Sequence, residues 1–327
     1  MFNATRLVFY YAVSPVHMGA GSAIGAIDSP IQREVHTLHP MFAGSGLKGA
    51  LRHHFSQNWP RQPDPRKPEA TLPNALISRI FGPDTNASDF AGALSLSDAQ
   101  LVALPVRSLK NGFAYVTSPL ALARLQRLAQ QSGIPTAWTL PTVAADKART
   151  ASAALLSGSG AAQQVVLEAF EFGAEVDPTL AQIAAWLAEY ALGGAGQGYF
   201  AEKLKTDLVL LHDTDFAHFA KHAMVVEPHV RINDETGTAD DGGLFYVENL
   251  PPESLMVGLA QASVERFKKD SRNGDSKPLL DADGVLKAVL AGDGACKGID
   301  GQLLQIGGDA STGRGLVVVQ SVQAKGN

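Results

Sequence analysis

Ser14 to Arg52 reads SPVHMGAGSAIGAIDSPIQREVHTLHPMFAGSGLKGALR, and the order of its glycines, its carboxylate and its helix start organises the rest of the chain. A glycine-loosened loop (Gly19, Gly21, Gly25) carries Asp28 and then Arg33. Gly44-Ser45-Gly46 follows as a turn into a helix that starts Leu47-Lys48-Gly49-Ala50. Glycine-rich backbone feeding a helix N-terminus gathers free N–H groups and the positive end of the helix dipole, which attract phosphate. Lys48 and Arg52 fall one turn apart and add formal charge to one face. The segment predicts a phosphate-gripping surface with a lone carboxylate beside it.

Outward from this segment, residues 5–13 alternate as a strand with Leu7, Phe9, Tyr11 and Val13 on one face. A helix is predicted over about 46–56, and the prolines and charges from Trp59 to Pro73 (insertion about 57–73) predict an exposed insertion. A short helix over Asn74 to Phe81 ends at Gly82-Pro83. Strands are predicted at Ala93–Leu96, Gln100–Leu104 and Phe113–Val116, and a helix over 119–131 buries Leu122, Leu125 and Leu128. Ala144 to Ala162 is small, polar and Gly/Ser-rich, hence loop.

The second half reads as strand Val165–Phe172, helix Pro178–Leu192, strand Leu204–Leu211 and a helix Phe216–Ala223 capped by Asp213. Val225–Ile232 and Leu244–Val247 flank the polar tip Asn233 to Gly237 as a projecting hairpin, about 225–250. A strand Leu255–Ala262 precedes the basic segment Ser263 to Pro278, and strands Leu303–Ile306 and Leu316–Val319 close the chain. Helices and strands interleave without regular βαβ spacing, which favours α+β over a doubly wound sheet.

Composition narrows the function. The 327 residues suffice for a core without staples, and 45% hydrophobic with 18% charged residues describes a soluble globular chain. No apolar stretch reaches the roughly 18 residues that span a bilayer, and the N-terminus MFNATRLVFYYAV is expected to be a strand rather than a signal peptide. The single Cys296 excludes a disulfide framework and a cysteine-rich zinc site, and predicts a reducing cytoplasm. A net charge of −5 argues only weakly against nucleic acid, because binding depends on local rather than average potential.

The chain resembles the RAMP proteins of type III CRISPR effector complexes, above all the repeated backbone subunit of the type III-B (Cmr) complex. The residues that carry the resemblance are His17, Gly25-Ala26-Ile27-Asp28-Ser29-Pro30-Ile31-Gln32-Arg33-Glu34, Gly44-Ser45-Gly46-Leu47-Lys48-Gly49 and the C-terminal run Gln305 to Gly315. Leu104 to Ser108 and Gly242 to Tyr246 echo the family in the expected order, so the likeness spans nearly the whole chain. Gly46 stands where relatives commonly have Ser, and Ala43 where they commonly have Pro, which touches loop geometry more than charge. The resemblance implies one RAMP domain over 1–327, with a modified ferredoxin-like (RNA-recognition-motif-like) core, an inserted thumb hairpin and flexible loops. It also implies an endoribonuclease acting within the assembled complex, with guide CRISPR RNA, single-stranded target RNA, head-to-tail copies of itself and other Cmr subunits as partners, and no membrane.

Asp28 has two readings on its residues alone. It caps the turn before Ser29-Pro30, as aspartate routinely does, or it accepts a proton or binds a cation beside phosphate. The resemblance implies the second, with Asp28 as the cleavage residue for 2′-hydroxyl attack, directly or as ligand of a divalent metal (Mg or Mn). Histidine is the residue type suited to proton transfer near neutral pH, and His17 is a phosphate-binding candidate first and a catalytic one second. Arg33, Gly44, Ser45, Gly46, Lys48 and Arg52 are candidates for guide backbone. Arg231 and Tyr246 on the hairpin, with Gly307, Gly308, Gly313 and Arg314 in the C-terminal loop, complete the RNA-binding set. Tyr246 wedges a base or packs in the sheet, and the glycines approach RNA or make a tight turn. Ala310 follows Asp309, so GGDASTGRG lacks the second acid of two-metal chemistry. The rival readings are a structural guide-binding subunit without cleavage and a guide-processing endonuclease using His17. A small-molecule nucleotide enzyme is disfavoured by the lack of a P-loop or Rossmann fingerprint.

Overall fold

Both faces of the first strand, Ala4–Ala12, are apolar, and each faces a different core. Leu7, Phe9 and Tyr11 join one buried cluster, while Val8, Tyr10 and Ala12 join the other. Such a strand belongs in the interior of a sheet covered on both sides. The computed structural model describes residues 2–22, 25–64, 67–84, 90–194, 196–266 and 280–324.

A 12-stranded sheet crosses the molecule in the order Leu303–Gln305, Leu316–Val322, Ala4–Ala12, Leu255–Ala262, Ala99–Arg107, Phe113–Thr117, Leu208–Leu211, Lys147–Thr150, Phe170–Val176 and Gln164–Leu167. Met41–Phe42 and Leu94–Leu96 pair beside this path. Pairing is antiparallel from Leu316–Val322 through Ala99–Arg107. The inserted half adds parallel pairs, Phe113–Thr117 with Leu208–Leu211 and Lys147–Thr150 with Phe170–Val176.

The helices are α1 (Gly44–Asn58), α2 (Ala75–Phe81), α3 (Pro119–Gln131), α4 (Pro178–Ala191), α5 (Gly198–Asp207), α6 (Asp213–His222) and α7 (Ala282–Leu290). On one face α1, α2, α6 and α7 bury Leu51, Ile80, Phe216 and Val285. On the other, α3, α4 and α5 bury Leu125, Leu187 and Leu204. The result is a mixed α+β architecture of helix, sheet and helix layers.

Several elements differ from the sequence expectation, each for a local reason. The predicted strand Leu204–Leu211 divides. Lys203 Nζ meets Asp207 Oδ2 at 2.6 Å one helical turn on, so α5 runs to Asp207 and only Leu208–Leu211 is strand. The predicted loop Ala144–Ala162 contains Lys147–Thr150, an interior strand that buries only Ala148 and Thr150. The predicted strand Val165–Phe172 breaks at Glu168, whose φ of 53° turns it into a hairpin. Asp213 does not cap α6. His212 Nδ1 accepts from Thr214 N there, and Asp213 Oδ1 accepts from Leu120 N at the start of α3. α7 is a helix that the sequence reading lacks, and it buries Val285, Leu286 and Val289.

Trp59 does not belong to the exposed insertion: its ring is 2% exposed and its Nε1 donates to Lys297 O. The insertion itself is a small hairpin, Gln62–Asp64 with Lys67–Leu72. The larger hairpin pairs Val225–Ile232 with Ala239–Asn249, an arm longer than predicted, as a separate two-stranded sheet. Of the basic segment, Lys268, Lys269, Arg272 and Lys277 lie outside the described residues.

Candidate nucleic-acid interface

Asp28 is exposed on the loop after the first strand, and the base of the long hairpin holds it. Its Oδ2 accepts from Tyr246 N at 2.7 Å. The next residue extends the contact: Ser29 N donates to Tyr246 O, and Glu248 N donates to Ser29 O. Thus the backbone of Tyr246, rather than its ring, meets the carboxylate, and the ring is 37% exposed.

Glu248 is the hub beneath. It is 4% exposed, and its Oε2 accepts from Ile31 N at 3.0 Å. Its Oε1 takes the Arg33 guanidinium at 2.5 Å, and its carbonyl meets His17 Nδ1 at 2.7 Å. A carbonyl only accepts, so His17 Nδ1 carries the proton and neutral His17 keeps its lone pair on Nε2. Arg33 also donates to Leu38 O and Ala220 O, which ties the loop to the end of α6. It is a half-buried brace here, not a free cation.

The C-terminal loop closes over the same place. Gly308 N donates to His17 O at 2.8 Å. Gly307 has φ 71°, and a Cβ there would overlap His17 O. This glycine answers a close approach within the chain. Gly313 sits at the exposed tip with φ 81° and open space around it. Arg314 forms an ion pair with Glu227 on the hairpin, bracing loop against hairpin. Arg231, exposed near the hairpin bulge, has no ion pair among the described residues.

Gly44 to Arg52 stands apart as the first turns of α1. The predicted glycine turn is already helix: Gly44 opens α1, and its N donates to Asp98 Oδ1 at 2.8 Å. A Cβ on Gly44 would overlap Leu96 O, so this glycine too serves internal packing. Lys48 Nζ donates to Leu94 O at 2.8 Å, and burial followed by the nearby Arg52 charge lowers its pKa. Arg52 pairs with Asp84. Ser45 and Gly46 lie in the same first turn. Gln32 links the two halves of the site: its Nε2 donates to Gly19 O, and its Oε1 accepts from Ala43 N just before α1. The sequence reading places Gln32 in the family-like run without a role, gives Glu248 no bracing role, and offers no signal for Asp98.

Among the described residues no group of three or more His, Cys, Asp and Glu side chains is arranged to hold a metal. Asp28 supplies a single carboxylate, since Glu248 is engaged on both oxygens. A hard cation held by one carboxylate and phosphate oxygens fits that donor set, and an all-protein metal cage does not.

The family model described as the RAMP superfamily matches residues 9–318. The chain belongs to the RAMP superfamily. One RAMP relative, the CRISPR system Cmr endoribonuclease Cmr4 of Pyrococcus furiosus, is 31% identical over 323 residues, covering 98% of this chain and 97% of the relative. The crystal structure of oligomeric Cmr4 from Pyrococcus furiosus matches with a TM-score of 0.67 at 26% identity, over 98% of this chain and 99% of that one. A cryo-EM structure of the type III-B Cmr-beta complex bound to cognate target RNA contains a chain of the same fold. There the TM-score is 0.63 at 17% identity, over 98% of both chains. Among the described residues of this RAMP chain no helix is long and apolar enough to cross a membrane.

Proposed function

We propose that this RAMP chain is the repeated backbone subunit of a type III-B CRISPR effector complex, in which it binds guide RNA and cleaves complementary target RNA at regular intervals. The observation that carries the reading is end-to-end likeness to an endoribonuclease, combined with an exposed Asp28 fixed by Tyr246 N. Copies stack head to tail along the guide with other Cmr subunits, a heterologous contact that does not close into a ring. Base pairing reads the target, so the protein contacts mainly backbone and shape.

The sheet order supports a ferredoxin-like core. Leu316–Val322, Ala4–Ala12, Leu255–Ala262 and Ala99–Arg107 lie side by side, with α1 and α7 on one face. The long hairpin is then the thumb inserted before Leu255.

In the reaction, Asp28 accepts the proton of a target 2′-hydroxyl, with one carboxylate oxygen oriented by Tyr246 N–H. The 2′-oxygen attacks the adjacent phosphorus, the P–O5′ bond breaks, and the leaving 5′-oxygen takes a proton from solvent. The products are a 2′,3′-cyclic phosphate and a 5′-hydroxyl. His17 Nε2, on a ring fixed through Nδ1, serves as a phosphate contact when protonated. A divalent cation (Mg or Mn) shared by Asp28 and phosphate would offset charge on the phosphate oxygens.

Lys48, with two N–H donors remaining after its bond to Leu94 O, holds guide backbone. Lys48→Glu should weaken binding of single-stranded RNA and flatten the plot of log affinity against log salt by about 0.7 or more. Anisotropy titrations across a salt series measure this, and an unchanged slope counts against the assignment.

A further inference from the structure

The first turn of α1, with Ser45 and Lys48 of the site above, borders a groove also lined by Phe2, Ser95 and Arg266. Two cations reach it from distant parts of the chain. Lys48 gives one N–H to Leu94 O and keeps two. Arg266 is exposed and has no ion pair or hydrogen bond among the described residues. The adjacent acid does not neutralise it, because Glu265 is engaged by Arg79 and by Leu280 N. Phe2, also lining the groove, is 43% exposed and stacks on no other ring among the described residues.

An exposed ring beside convergent cations is how single-stranded nucleic acid is held without reading its sequence. The ring takes a base face and the cations take phosphate. We propose that this groove seats one nucleotide of single-stranded RNA, its phosphate on Lys48 and Arg266 and its base on Phe2. The seat rests on the RNA-binding reading above and adds Phe2, Ser95 and Arg266 to it. A guanidinium supplies the paired donors that suit phosphate oxygens, while Lys48 acts as a point charge. The aromatic wall distinguishes a nucleotide seat from a general anion site.

The test is anisotropy of a short labelled oligoadenylate on the full-length protein across a salt series, with Arg266→Ala, Phe2→Ala, Phe2→Trp and Lys48→Glu. Arg266→Ala should flatten the log–log salt slope by about 0.7, one phosphate's share on a single strand. Phe2→Ala should weaken binding roughly tenfold at unchanged slope, and Phe2→Trp should keep wild-type affinity. Wild-type affinity and slope in both alanine variants would overturn the seat. If Lys48→Glu still weakens binding in that case, the RNA reading survives without it. Loss of binding in none of the proteins because the wild type itself binds no RNA would overturn both. Equal displacement by polyglutamate from wild type and Phe2→Ala would make the groove a general anion site and overturn the proposal.

Discussion

Asp28→Asn should slow target-RNA cleavage by the assembled complex roughly 10²- to 10⁴-fold, the range of a removed general base. Guide binding and stability should stay at wild-type levels. Asparagine keeps the shape of the side chain, and its oxygen can still accept from Tyr246 N, so the loop stays docked on the hairpin. It loses the ability to take the 2′-hydroxyl proton. Asp28 is exposed, and exposed substitutions usually change stability by less than about 0.5 kcal/mol. Single-turnover cleavage of labelled target, with RNA binding measured in parallel, separates chemistry from assembly. Wild-type cutting by the Asp28→Asn complex would remove Asp28 from the reaction.

Glu248→Ala should produce the largest loss of stability of any change at this site, about 3–5 kcal/mol. The Arg33 side chain is 16% exposed and its Glu248 partner 5%, so the variant leaves a buried guanidinium without its counter-charge. Ile31 N loses its acceptor as well, and an unsatisfied buried donor costs about 1–3 kcal/mol. The two costs share one side chain and do not simply add. Urea unfolding measures the loss, and an Arg33→Met, Glu248→Leu double variant should recover much of it because the buried charge is removed along with its partner. Cleavage below the unfolding transition should also fall, since Ile31 and Arg33, on the same loop as Asp28, lose their shared anchor. Glu248→Ala unfolding within about 1 kcal/mol of wild type would show that the ion pair does not hold the loop.

Periodic segments of the fold were legible. Leu122, Leu125 and Leu128 are buried in α3 as their spacing predicts, and Leu7, Phe9 and Tyr11 of the first strand share one buried face, while the opposite face is buried too and Val13 falls beyond the strand and is exposed. Legibility failed where tertiary pairing outweighed local pattern. Lys147–Thr150 has four residues and two buried positions, too little period to read, and becomes a strand because neighbours exist on both sides. The run Leu208 to Leu211 merges in sequence with the end of α5, and only the Lys203–Asp207 pair marks the boundary.

At the candidate site, the smallness of some glycines has a cause that the sequence hides. Gly307 is small because His17 O lies against it, a neighbour far away in sequence. Charge was harder still. Arg33 and Glu248 are 215 positions apart, and Arg52 and Arg314 are met by Asp84 and Glu227. Counting basic residues therefore overstates the free cations: of Arg33, Arg52, Arg231 and Arg314, only Arg231 has no ion pair among the described residues.

The most direct test of the account places a single 2′-deoxynucleotide in the target RNA immediately 5′ of a mapped cleavage point. The assembled complex should fail to cut at that point alone, continue to cut at the other regularly spaced points, and leave 2′,3′-cyclic phosphate ends there. Cleavage that proceeds at the deoxy position, leaving a 3′-hydroxyl, would make water rather than the neighbouring hydroxyl the nucleophile and would contradict the role assigned to Asp28.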